Sequence, residues 1–171
     1  MFSTAHPIVD PDRGCMWTVK LRLGTAGLEP TVVRYDGTGT EVRTWNLPGA
    51  AVSSSMHTIS QTEHWLVLAD SGNFKADLQE IFGGERTVTV DEQATVFFVR
   101  KDVLDRTPSG SDVPFERAVF GPPTGHYYAD WDDSDGIRML VEHMDLTDLG
   151  YRLRADDLDA HGKRKIGRAH V

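Results

Sequence analysis

Trp17-Thr18-Val19-Lys20-Leu21-Arg22-Leu23 alternates apolar and polar side chains without a break and stops at Gly24. A period of two puts Trp17, Val19, Leu21 and Leu23 on one face, the pattern of a strand with one buried side. Thr31-Val32-Val33-Arg34-Tyr35 repeats the rhythm and runs into Asp36-Gly37-Thr38-Gly39, after which Glu41-Val42-Arg43-Thr44-Trp45-Asn46-Leu47 follows. This reads as a hairpin in which Asp36-Gly37 supplies the positive backbone angles of a tight turn. Further strands are expected at 65–69, 87–90, 95–100, 137–143 and 151–153. One helical turn is expected from Phe74 to Ile81, where Phe74, Leu78 and Ile81 fall at helical spacing. The stretch from Thr107 to Gly125 carries four prolines and three glycines and is expected to be an irregular loop. Short strands divided by turns specify an all-β fold of the sandwich, barrel or propeller kind.

Composition narrows the function classes. The chain has 171 residues, 39% of them hydrophobic, and a formal net charge of −8. That is apolar enough for a packed core and too acidic, with no basic stripe, for a nucleic-acid partner. Cys15 is the single cysteine, so no intramolecular disulfide forms, and its setting beside Met16 and Trp17 suits a buried structural thiol better than a nucleophile. No apolar run approaches the roughly 20 residues of a membrane span, and Met1–Pro7 has no signal-peptide pattern. A cytoplasmic protein is expected. The last residues, Lys165-Ile166-Gly167-Arg168-Ala169-His170-Val171, match the translation of a common sequencing-library adapter up to its stop codon. The expected organisation is therefore one β-domain piece over 1–164 and an adapter-derived tail over 165–171.

Seven histidines are present: His6, His57, His64, His126, His143, His161 and His170. Taken singly, a histidine is more often structural or exposed than a ligand. His64 and His143 sit inside strand patterns, and His161 and His170 belong to a polar tail. His6, His57 and His126 differ in context, each lying at the start of a strand or in the turn before one, where a sheet presents functional groups on a rigid base.

Those three contexts resemble the carotenoid cleavage oxygenases, the family of retinal-forming oxygenases and lignostilbene dioxygenases. Ala5-His6-Pro7 followed by Asp10-Pro11-Asp12-Arg13-Gly14 matches the family's first metal-histidine segment. Met56-His57, with Thr62 and Trp65 ahead of an apolar strand, matches the second. The third family histidine precedes an Asn-Ala-aromatic-Glu segment, where this chain has Ala129-Asp130-Trp131-Asp132. The intervals are 51 and 69 residues, suited to ligands from successive propeller blades.

The resemblance implies part of a seven-bladed β-propeller, a few blades only, covering about a third of a typical member. It implies one iron(II) per complete protein, with His6, His57 and His126 as three of four ligands and no further catalytic residue here. The fourth histidine, and the glutamates that accept from the ligands' far N–H groups, are expected outside this chain, and the piece alone is expected to be inactive. The implied partners are a small apolar alkene (a carotenoid, apocarotenoid or stilbene) and dioxygen, with peripheral membrane contact for substrate uptake an option that no segment here displays.

Three other readings stand beside this one. A three-histidine zinc site would use the same residues, although no His-Glu-x-x-His motif is present. A non-catalytic β-sheet binding module would make the histidines incidental. The cluster Asp130, Asp132, Asp133 and Asp135 could be a calcium loop, but Val141 stands where the closing Glu is needed, so a solvated turn closed by Gly136 is the better reading.

Overall fold

In the computed structural model the alternation around Trp17 becomes a ten-residue strand with Cys15, Trp17, Val19 and Leu21 buried and the residues between them half-buried. Leu23, expected on the same face, lies past the end of the core and is exposed. The described residues are 4, 6–24, 27–37, 40–52, 55–71, 74–75, 83–85, 92–121, 124–143, 147–148, 157–158 and 161–163. The strands expected at 87–90 and 151–153, His170 and the tail 165–171 lie outside them. So does the helical turn expected from Phe74 to Ile81, apart from Phe74–Lys75, which is a strand.

In chain order the elements are β1 (Ile8–Asp10), β2 (Cys15–Gly24), β3 (Gly27–Asp36), β4 (Val42–Asn46), β5 (Ile59–Gln61), β6 (Trp65–Ala69) and β7 (Phe74–Lys75). They continue with β8 (Ala94–Arg100), helix α1 (Lys101–Arg106), β9 (Glu116–Phe120), β10 (Thr124–Ala129), β11 (Met139–His143) and β12 (Thr147–Asp148). The architecture is all-β, as expected. β1-β2-β3-β4 and β5-β6-β8-β9 form two four-stranded antiparallel sheets, β10-β11 is a hairpin, and β7 pairs in parallel with β12. Two four-stranded antiparallel sheets in series are what successive propeller blades look like.

Packing follows the same plan. Leu66 and Leu68 of β6 join Trp17, Trp45, Phe97 and Leu104 in one core cluster. Val67 and Ala69, on the opposite face of β6, join Val96 and Tyr127 in a second, against which Ile137, Met139 and Val141 pack. The second sheet is thus covered on both faces, by the first sheet on one side and the β10-β11 hairpin on the other.

Two local expectations are corrected. The segment from Thr107 to Gly125 is not wholly irregular: Glu116–Phe120 forms β9, pairing with β8 from Ala94↔Phe120 to Phe98↔Glu116. Its residues are exposed or half-buried without alternation, as suits an outer strand, so periodicity carried no signal. The β3–β4 hairpin exists, but Gly37 has no positive φ. Glycine suits that position for another reason: its N–H donates to Gly14 O at 3.0 Å, and a Cβ there would lie 2.9 Å from the same oxygen.

The buried polar group of greatest consequence is Asp10. Burial opposes its charge, but Lys101 Nζ (2.8 Å), the Trp17 indole N–H (3.2 Å) and the Arg13 N–H (3.1 Å) all donate to it. Together they hold its carboxyl below the ordinary value. A carboxyl lowered on folding adds stability that is present above its unfolded pKa, about 4, and is lost as the pH falls through the folded value. Asp10→Asn is therefore expected to cost several kcal/mol at neutral pH, roughly the 3–5 of a broken buried pair. The gap in urea midpoint between the two proteins should shrink as the pH is taken below about 4. A gap independent of pH would mean that Asp10 carries no charge in the folded chain.

Candidate metal centre

Short segments at or beside β1, β5 and β10 carry the three histidines. His6 forms a parallel bridge with Thr58 just ahead of β1, and His57 precedes β5. His126 lies within β10 rather than before it, opposite Glu142 of β11. These segments are tied to one another by polar groups. Thr4 Oγ1 donates to His57 O (2.8 Å) and the His57 N–H to Ser71 Oγ (3.1 Å). The Ala129 N–H donates to Ser60 Oγ (2.7 Å), joining β10 to β5.

Tyr127 makes the same connection from the core. It is fully buried, which raises its phenol pKa above the ordinary value. Its oxygen accepts from the Ala69 N–H at 2.6 Å, and its O–H donates to Thr58 O at 2.6 Å, with Val67 O 3.1 Å away. Tyr127→Phe strands the Ala69 N–H and the Thr58 carbonyl in an apolar setting. The expected loss is about 1–3 kcal/mol, read as a lower urea midpoint.

The result is a triangle of imidazoles. Ring centroids are 4.8 Å apart for His6–His57, 5.2 Å for His57–His126 and 5.8 Å for His6–His126. One ring nitrogen from each lies within 4.8 Å of the other two. The Nε2 atoms of His6 and His57 are 3.3 Å apart. Burial, and then the proximity of His6 and His126, hold His57 below the ordinary imidazole pKa. That favours the neutral ring, the form that offers a lone pair to a metal.

The structure therefore brings together all three residues singled out from the sequence. Among the described residues no fourth histidine joins them. His143 and His161 are exposed elsewhere.

One feature departs from expectation. The carboxylates behind the imidazoles were expected outside this chain, yet Glu142 accepts from His126 Nδ1 at 2.5 Å. That contact selects the tautomer of His126 whose Nε2 carries the lone pair and sets the direction of the ring. Counting across the hairpin could have suggested the pairing, but the bulge between Thr124 and His126 spoils a simple count.

A second group, Glu63, His64 and Asp133, is also close, and His64 proves better connected than its sequence context implied. Its Nδ1 lies 2.7 Å from Asp133 Oδ1, while its N–H and the Thr62 hydroxyl donate to Asp133 Oδ2. These contacts tie the turn before β6 to the β10–β11 turn. The acidic stretch is the expected turn, with Gly136 at φ 109° and its N–H donating to Asp133 O. Cys15 is buried and its thiol pKa is raised by that burial, as befits a structural cysteine. Of the aromatic residues near the histidines, Tyr127 is core and Tyr128 is exposed. No helix among the described residues is long and apolar enough to cross a membrane.

No curated protein matches the chain. The family profile described as retinal pigment epithelial membrane protein matches residues 1–168. With that match over nearly its whole length, the chain belongs to the retinal pigment epithelial membrane protein family, the carotenoid oxygenase family.

Proposed function

We propose that the protein from which this chain comes is a non-haem iron(II) dioxygenase that cleaves a carbon–carbon double bond of a carotenoid, apocarotenoid or stilbene-type substrate. The observation that carries the reading is the convergence of His6, His57 and His126 from three separate strand segments. Three neutral imidazoles suit a borderline divalent metal such as iron(II) and leave its positive charge undiminished. When bound, iron(II) would supply the activation of dioxygen for addition across an electron-rich alkene, yielding two carbonyl products.

The chain's own residues have narrower tasks. His6, His57 and His126 would hold the metal through ring nitrogens. Glu142 fixes the ring of His126, and Tyr127 and Thr4 fix the backbone from which His126 and His57 project. Three imidazoles are one short of the four-histidine set that the family resemblance implies, so weak iron retention and negligible turnover are the expectation for this chain alone. A small apolar alkene and dioxygen are the proposed partners, with no role for nucleic acid. A cytoplasmic location is proposed as well.

The test is metal analysis of the purified chain after anaerobic loading with iron(II) or zinc(II), beside His57→Ala. Iron bound in a His57-dependent way supports the reading, and a strict preference for zinc favours the three-histidine zinc site. Metal content that ignores the substitution would leave a binding module with incidental histidines. For the complete protein, loss of polyene or stilbene absorbance with formation of two aldehydes or ketones under dioxygen tests the reaction itself.

A further inference from the structure

Lys101 has no part in the site described above, yet it is fully buried, side chain included. It begins α1 directly after β8, and its own N–H donates to His64 O at 2.8 Å. An ammonium has three protons to donate, and leaving any unsatisfied in the core is costly. All three are used: on Asp10 Oδ2 (2.8 Å), Gln61 Oε1 (2.9 Å) and Thr62 O (2.7 Å). The same nitrogen stands 4.7 Å from the centre of the Trp131 ring, within cation–π range.

The origins of these four partners matter more than their number. Asp10 ends β1, which His6 precedes. Gln61 ends β5 and Thr62 follows it, and His57 lies ahead of that strand. Trp131 comes just after β10, which carries His126. One buried cation thus gathers the far ends of all three histidine-bearing segments, four or five residues from each ring. At about 3.3 Å per residue that is roughly 13–17 Å from the imidazoles.

Cross-links reinforce this floor. Gln61 Nε2 donates to Val9 O (2.7 Å) and the Glu63 N–H to Trp131 O (2.8 Å). A strand is stiff along its length, and a slip of one residue at one end turns every side chain to the opposite face. A device that pins the ends therefore sets where the rings point.

We propose that Lys101 is a positioning residue for the metal centre: its ammonium clamps the ends of the three strand segments so that His6, His57 and His126 converge. The metal part of this statement rests on the reading of those histidines as ligands. The clamping part does not.

The test uses the intact chain. Lys101→Met keeps the length and removes the charge, Lys101→Arg restores a cation, and Leu47→Ala is a core-cavity control on a residue outside the network. Imidazole proton–nitrogen correlation spectra of the metal-free proteins report ring environment, and cobalt(II) titration followed by visible absorption reports ligation. In folded Lys101→Met the signals of His6, His57 and His126 are expected to shift together, with cobalt bound about 10-fold more weakly. Lys101→Arg should recover part of both, and Leu47→Ala should leave both unchanged.

Unshifted imidazole signals in folded Lys101→Met would overturn the proposal. So would equal shifts in Leu47→Ala, which would make the effect one of general stability. If Lys101→Met does not fold, Trp131→Ala decides: it removes only the third segment's partner, so it should move His126 and spare His6, and a silent His126 sinks the idea. A wild-type chain that ignores cobalt while the imidazole shifts appear as described would remove the ligand reading and leave the clamp standing.

Discussion

Replacing His57 with alanine is expected to lower iron(II) affinity by more than about 100-fold, since even partners behind a ligand are worth 10–100-fold. His57 is the ligand candidate with the strongest case. It lies 3.3 Å from His6 by ring nitrogen and has the shorter centroid distance to His126. Its backbone is held by Thr4 and Ser71 independently of the ring, so the substitution should leave the urea midpoint nearly unchanged. Two companions sharpen the result. Glu142→Ala, which releases the ring of His126, should cost roughly 10-fold in affinity. His64→Ala, in the separate group with Glu63 and Asp133, should leave iron affinity as it was. Isothermal titration with iron(II) under argon reads all three. Equal losses from His57→Ala and His64→Ala would dissolve the assignment of the site to the imidazole triangle.

Trp17→Ala should cause one of the largest losses of stability, about 3–5 kcal/mol, a large share of the 5–15 that holds a typical domain. Trp17 is fully buried, with its ring centroid 6.1 Å from that of Trp45 and the Arg34 guanidinium carbon 5.5 Å from its ring. Alanine would leave a cavity in the main core cluster and also remove the N–H that donates to Asp10. Trp17→Phe separates the two effects, because it fills most of the space and lacks the donor. It should cost about 1–3 kcal/mol, the range for a buried acceptor deprived of one partner. Urea unfolding followed by circular dichroism measures both. A Trp17→Phe loss as large as that of Trp17→Ala would place the energy in the Asp10 hydrogen bond and not in the packing.

Legibility in the sequence followed the physics of each element. Where one face of a strand is buried and the other is not, as in β2, alternation is imposed by burial and is visible in one dimension. Both faces of β6 are buried, and there a short apolar run bounded by polar residues served instead. β1 and β5 span three residues each, too few for any period to register. β9 is an outer strand with no buried alternation, so nothing in Glu116–Phe120 distinguishes it from the loop around it.

By itself, the sequence determined that the chain is all-β, that its single cysteine forms no intramolecular disulfide, and that His6, His57 and His126 stand apart from the other histidines. Local patterns suffice for these because periodicity, charge and short motifs are properties of neighbours in the chain. Only the tertiary structure decided that residues 51 and 69 positions apart meet within 4.8 Å of one another. It alone put Glu142 against His126 and Asp133 against His64, and turned Lys101, an ordinary lysine at the end of a strand, into a fully buried cation touching all three segments. The reason is that strand pairing and blade stacking are long-range: which side chains converge depends on how sheets pack on one another, and no local stretch of sequence carries that.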